Sequence, residues 1–318
     1  MQEYEFVSST EEKPVYVIGA GAIGFPLAAC LTLAGRSVIA VRSSRSDISS
    51  SVVAITMHHN GRPVSVAVKT ISLNKLPKLD GIVVIASKSY ANKTIADALK
   101  EKSVKGPIIV MQNGIGVEQA FIDAGFTNIY RCVLYLTSQS YSEYDFSVTP
   151  VRPSPVGIVN GNEFELSSCI TKLHTDEFPF CRQPNIHREV WKKTIVNVAF
   201  NSICPLLGVD NGIFVRDTSA AQLARELVQE CLLLLSKLAI DLDEAELMTQ
   251  IMTISSRSDG LYISTLQDIN TGRPTEIEFL NLEIARIARA LSPSLELPKI
   301  ELLGNMIAAK SQLGLKVK

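Results

Sequence analysis

The sequence predicts an α/β protein, with a helix-flanked parallel sheet in its first half and only helices in its second. Three observations predict this. Short apolar strands alternate with helix-length segments from about residue 15 to 133, the pattern of repeated β-α-β units. A glycine cluster, Gly19-Ala20-Gly21-Ala22-Ile23-Gly24, stands directly between the first strand and the first helix. From Pro184 the character becomes almost wholly helical, which predicts two domains, 1–183 and 184–318.

The elements follow in order. Val15-Tyr16-Val17-Ile18 reads as a buried strand, and an apolar helix from about Phe25 to Ala34 closes at Gly35. Val38-Ile39-Ala40-Val41 is the next strand, completing a β-α-β unit of about thirty residues. Gly81–Ala86, Ile108–Met111 and Ile129–Val133 read as further strands, with helices over 91–102 and 116–124. Between 137 and 182 the pattern changes to short β-like runs, 150–155 and 157–160, and one helix near 162–174. The second domain reads as helices near 187–204, 217–239, 243–254, 258–270 and 275–291.

Composition narrows the function. The chain has 318 residues, 46% of them hydrophobic and 20% charged, which suits about two globular domains. Its formal net charge of -1 gives no footprint for nucleic acid or an acidic membrane surface. The six cysteines form no C-x-x-C pair and most lie in apolar surroundings, so reduced buried thiols are expected rather than disulfides. The four histidines lack metal-ligand spacing, and no metal site is expected. The acidic lead Met1-Gln2-Glu3-Tyr4-Glu5 is unlike a signal peptide. The apolar stretches near 194–209 and 231–240 are interrupted or too short to span a bilayer. A cytoplasmic protein is expected.

G-x-G-x-x-G alone is a weak signal, but here it follows a strand and opens a helix, the context of a Rossmann-type dinucleotide-binding domain. Gly19 permits the tight turn, Gly21 lets backbone approach a pyrophosphate, and Gly24 lets helix pack on strand. Ala22 and Ile23 complete the loop, whose helix N-terminus offers N–H groups to phosphate. A glycine-rich turn with no ligand is the competing reading. The second strand ends Val41-Arg42-Ser43-Ser44-Arg45, with no acidic residue to meet a ribose hydroxyl. Arginine pairs with phosphate through a planar fork. NADPH is therefore the expected cofactor and Arg42 the first choice for its 2′-phosphate; Arg45 is either a second ligand or solvated surface.

In the second half, Lys193, Asn197 and Asn201 fall at i, i+4 and i+8 of an otherwise apolar helix. Burying amides and an ammonium without partners costs several kcal/mol, so the stripe should face partners or a wet cleft. A cleft between domains suits a substrate bearing carbonyl, carboxylate and hydroxyl groups. A merely solvated face is the alternative, but asparagine is a poor choice for one. A second cluster runs Ser264-Thr265-Leu266-Gln267-Asp268 and Gly272-Arg273-Pro274-Thr275-Glu276-Ile277-Glu278. Its carboxylates read equally well as an ordinary helix start.

These pieces together resemble the ketopantoate reductase family (2-dehydropantoate 2-reductases) over roughly residues 14 to 300. They are the glycine loop, Ser87-Lys88-Ser89, Gln112-Asn113-Gly114, Trp191-Lys192-Lys193 with Asn197 and Asn201, and Ser264–Asp268 with Gly272–Ile277. The resemblance implies NADPH-dependent reduction of ketopantoate to pantoate, a step of pantothenate and coenzyme A biosynthesis. It makes Lys193 the general acid and Glu276 its partner. Asn113, Asn197, Asn201 and Ser264 become substrate contacts, and Asp268 a support. Lys88, Asn113 and Glu276 join Gly19, Gly21, Ala22, Ile23, Gly24 and Arg42 on the cofactor side. Segment 137–182 carries no family signature, and the lead before the first strand is longer than the fold needs. Rival readings are a reductase of another branched 2-oxo acid and a non-enzymatic NADP(H) sensor. The helical half could supply a homodimer interface, although no stripe declares one.

Overall fold

The computed structural model describes residues 13–43, 49–59 and 62–316. It divides into two compact units. The first holds residues up to 87, 91–111 and 120–182; the second holds 88–90, 112–119 and 183 onward.

Among the described residues the first unit is built on one eleven-stranded sheet. Its elements are β1 (Val15–Ile18), α1 (Gly24–Leu33), β2 (Val38–Arg42), β3 (Ser51–His59), β4 (Arg62–Ser72), β5 (Ile82–Ile85), α2 (Asn92–Glu101), β6 (Ile108–Val110), α3 (Gln119–Asp123) and β7 (Ile129–Cys132). Then come β8 (Leu136–Ser142), β9 (Asp145–Pro150), β10 (Ser154–Asn160), α4 (Glu163–Leu173) and β11 (Phe180–Arg182). The strand order is β11-β10-β7-β6-β5-β1-β2-β4-β3-β9-β8. β1 lies between β2 and β5, parallel to both, with Val15 in register with Val38 and Ile82. Strand order therefore reverses at β1, the point where α/β sheets form a crevice beyond their carboxyl ends. Every residue of β1, β5, β6 and β7 is buried, as expected of strands covered on both faces. Their side chains join α1 and Leu166, Cys169 and Leu173 of α4 in one core.

The sheet is longer than the sequence pattern suggested. The antiparallel pair β3–β4 was not anticipated, and segment 137–182 forms an ordered hairpin, β8–β9, with β9 parallel to β3. The alternation of β4 is visible only in its burial, with Val66, Val68 and Thr70 inward and the residues between them exposed. The outward positions between them are Ala67 and Lys69, one small and apolar and one long and charged.

The second unit is helical: α5 (Ile186–Leu207), α6 (Ile213–Arg216), α7 (Thr218–Lys237), α8 (Glu244–Arg257), α9 (Ser264–Asn270), α10 (Asn281–Arg289) and α11 (Pro298–Lys316). The side chains of Asn185, Asp217 and Asp243 cap the starts of α5, α7 and α8 by accepting from the third backbone N–H onward. α5 is central, packed by α7, α8, α9 and α11. Two expectations are corrected here. The helix placed from 258 begins only at Ser264, because Gly260 sits at φ 75°, which a right-handed helix cannot contain. The helix placed from 275 begins at Asn281 after a single 3-10 turn, since Leu280 (ψ -105°) breaks the run. Among the described residues no helix is long and apolar enough to cross a membrane.

Candidate active site

The glycine loop is held by backbone. Gly19 N–H donates to Val41 at 2.9 Å and Ala86 N–H donates to Ile18 at 2.8 Å, tying the loop to the ends of β2 and β5. Gly19 has φ 108°, and a Cβ there would lie 2.2 Å from the Ser87 nitrogen. A Cβ on Gly24 would lie 2.0 Å from the Gly19 carbonyl oxygen. Packing therefore fixes both glycines. Gly21 is different: a Cβ there would meet nothing within 4 Å, and Gly21 and Ala22 are exposed. The bare backbone beside Gly21, at the N-terminus of α1, fits a dinucleotide pyrophosphate.

Arg42, expected to meet a 2′-phosphate, is buried at 7% exposure and already committed. One guanidinium nitrogen donates to Glu143 Oε1 at 2.9 Å and another to the Tyr144 hydroxyl at 2.8 Å. The Phe25 and Tyr144 rings lie 5.1 and 5.5 Å from the guanidinium carbon. Arg45 lies outside the described residues.

The second unit holds a small polar pocket. Lys88, Asn113, Asn197, Asn201, Ser264 and Glu276 all line it, joined by Thr265, Asp268 and Leu280. Six residues spread over nearly two hundred positions of sequence thus meet at one place. Asn197 and Asn201 come from successive turns of α5, Ser264, Thr265 and Asp268 from the start of α9, and Glu276 from the loop before α10. The 112–116 loop is pressed onto that same loop: Ile115 N–H donates to the Phe279 carbonyl at 2.9 Å. A Cβ on Gly114, at φ 98°, would sit 2.3 Å from the same oxygen. Gly114 is thus what allows Asn113 its place.

Lys88 organises the pocket's charges. Its ammonium donates to Asp268 Oδ2 at 2.8 Å and to Glu276 Oε2 at 3.4 Å. Glu276 Oε1 accepts from the Ser89 N–H and hydroxyl at 3.0 and 2.9 Å. Asp268 also accepts from Arg273 Nε at 2.9 Å. Burial alone would lower the Lys88 pKa, but the charges and hydrogen bonds of Glu276 and Asp268 outweigh it and hold the ammonium above its ordinary value. Asn201 is oriented from both ends, its Oδ1 accepting from the Thr265 hydroxyl at 2.6 Å and its Nδ2 donating to the Asn197 carbonyl at 2.8 Å.

Lys193 lies on α5 one turn before Asn197, half-buried. Glu276 bonds Lys88 and Ser89, a pairing the sequence argument did not assign. Ser89 and Thr265 were missed as well, although each adjoins a residue singled out for the site.

Comparison with known proteins decides the family. The family model described as ketopantoate reductase PanE/ApbA matches residues 15–151, and the one described as ketopantoate reductase PanE/ApbA C terminal matches residues 185–311. The chain belongs to the ketopantoate reductase PanE/ApbA family. It is 27% identical to the 2-dehydropantoate 2-reductase of Pyrococcus abyssi, over 94% of this chain and 98% of the relative. It is 28% identical to that of Pyrococcus horikoshii, with the same coverage. Among solved structures, a dimeric ketopantoate reductase from Staphylococcus aureus aligns with TM-score 0.78 and 20% identity, covering 95% of this chain and 99% of that one. D-mandelate dehydrogenase in a ternary structure with NADH and anilino(oxo)acetate aligns with TM-score 0.82 at 20% identity, with the same coverage. At those identities the likeness establishes the shared fold. The α/β reading, with its N-terminal Rossmann-type domain and helical C-terminal domain, stands.

Proposed function

We propose that this member of the ketopantoate reductase family reduces 2-dehydropantoate to pantoate, a step towards pantothenate and coenzyme A, with NADPH as reductant. The observation that carries the reading is the meeting of Lys88, Asn113, Asn197, Asn201, Ser264 and Glu276 at one pocket. Amides, a hydroxyl and an ammonium suit a substrate that carries a carbonyl, a carboxylate and a hydroxyl. When bound, a reduced nicotinamide supplies the hydride that reaches the carbonyl carbon.

The chain's own residues do the rest. As the carbonyl oxygen gains charge, Lys193 stabilises it and donates a proton, the work of a positioned general acid. Lys88 holds Glu276 and Asp268 in place and keeps the pocket's charges balanced. Asn197, Asn201, Asn113 and Ser264 grip the substrate's hydroxyl and carboxylate. Thr265 fixes which end of the Asn201 amide faces where.

A second reading keeps this chemistry for another branched 2-oxo acid, because the fold also aligns with D-mandelate dehydrogenase. The test is to mix the purified protein with NADPH and ketopantoate, follow nicotinamide absorbance, and run Lys193→Ala in parallel. Rapid oxidation by the wild type and a loss of roughly 10²–10⁴-fold in the variant are expected. Inert ketopantoate with intact NADPH binding would replace the substrate by another 2-oxo acid. NADPH bound but untouched by every 2-oxo acid would leave only a sensor. A fully active variant would remove Lys193 from the mechanism.

A further inference from the structure

We infer that Glu143, at the turn of the β8–β9 hairpin, sets the choice between phosphorylated and unphosphorylated dinucleotide by holding Arg42. The inference rests on the reading of the glycine loop as a dinucleotide site. Arg42 ends β2, where α/β dinucleotide sites meet the adenosine ribose, and neither Arg42 nor Ser43, the last described residues of that strand end, is acidic. The hairpin supplies a carboxylate from a hundred residues away. Glu143 Oε1 accepts from Arg42 at 2.9 Å, and the neighbouring Tyr144 hydroxyl accepts from the other fork nitrogen at 2.8 Å.

Three features make this a built arrangement. Arg42 is 7% exposed, so it has little water to fall back on. Among the described residues its buried Nε has no hydrogen-bond partner, and the other two nitrogens of the fork are committed to the hairpin. The hairpin is anchored: β9 pairs with β3 over Thr56–His58, His58 bonds Asp145 at 2.7 Å, and the Ser138 hydroxyl donates to the Ala22 carbonyl of the glycine loop.

The consequence is electrostatic. A guanidinium that shares its charge with a carboxylate presents less of it to a 2′-phosphate. A ribose 2′-hydroxyl pays no such penalty and can donate to a carboxylate. Arg42 therefore favours the 2′-phosphate only to the extent that Glu143 is displaced, and wild-type discrimination between the two dinucleotides is shallow.

The experiment is calorimetric titration of the protein with NADP⁺ and NAD⁺, without oxo acid, for wild type, Glu143→Gln and Glu143→Ala. Circular dichroism melts confirm folding, which is expected because the Glu143 side chain is 48% exposed. Both variants should shift the affinity ratio towards NADP⁺ by roughly tenfold. Arg42→Met should abolish the shift when combined with either. A ratio unchanged in both variants, or moved towards NAD⁺, overturns the inference while leaving the dinucleotide site standing. Failure of the wild type to bind either compound overturns the dinucleotide reading, and the inference with it.

Discussion

Arg42 and Lys88 are both long cations held by carboxylates, and the difference between their surroundings separates the chain's two units. Among the described residues Arg42 has one carboxylate partner, an aromatic hydroxyl and two rings around it, and it ends the strand whose Val41 carbonyl accepts from Gly19 of the glycine loop. Lys88 has two carboxylates, themselves held by Ser89 and Arg273, in a pocket walled by side chains. On the proposed reading the first unit would recognise its ligand by what its glycines leave out, and the second by what its helices put in. Substitutions should therefore act sterically in one and electrostatically in the other.

The sharpest test is within the glycine loop. Gly19→Ala forces a Cβ against the Ser87 nitrogen at positive φ, and Gly24→Ala forces one against the Gly19 carbonyl. Each should cost about 2–4 kcal/mol of stability. Gly21→Ala meets nothing within 4 Å, so its stability should stay within about 0.5 kcal/mol of wild type. Its loss should appear instead as roughly tenfold weaker dinucleotide binding. Urea denaturation beside titration with NADP⁺ separates the two. If Gly21→Ala is as unstable as Gly19→Ala, the space beside Gly21 is not a ligand's.

The contrast also marks what the sequence made legible. The glycine loop and the Asn197–Asn201 stripe could be read because their meaning lies in spacings of two to four residues. The Lys88–Asp268 and Arg42–Glu143 pairs join residues 180 and 101 positions apart, and no local periodicity announces them. Glu143, which opposes Arg42, lies in segment 137–182, which reads as short β-like runs and carries no family signature. The start of α9 was misplaced for a local reason, since a single glycine at φ 75° overrode a helical apolar pattern. Helix α11 was missed because its apolar residues do not keep to one face.

A smaller effect is expected when Lys88 is replaced by Met. Asp268, 6% exposed, and Glu276, 14% exposed, then lose their shared cation. Asp268 keeps Arg273, Glu276 keeps Ser89, and Lys88 is itself 38% exposed. The cost should fall to about 1–2 kcal/mol rather than that of a fully buried pair. Ketopantoate turnover should fall further than stability, because the two carboxylates would repel each other within the pocket. Equal stability with unchanged turnover would make Lys88 a surface ion pair and weaken the claim that the second unit works by charge.

The least of these effects is a pH dependence, and it distinguishes the two cations most cleanly. The folded protein holds the Lys88 ammonium above the ordinary lysine value through Glu276 and Asp268. A raised folded pKa means the proton is bound more tightly in the native state. The stabilisation is then complete below the unfolded value of about 10.4 and is lost as pH climbs through the folded one. The stability gap between wild type and Lys88→Met should hold constant from neutral pH to about pH 10 and close above it. An arginine keeps its charge across that range, so the gap between wild type and Arg42→Met should stay open where the other closes. Denaturant titrations at half-unit pH steps would show it. Parallel closure of both gaps would mean that alkaline loss is general unfolding, unconnected with the Lys88 pocket.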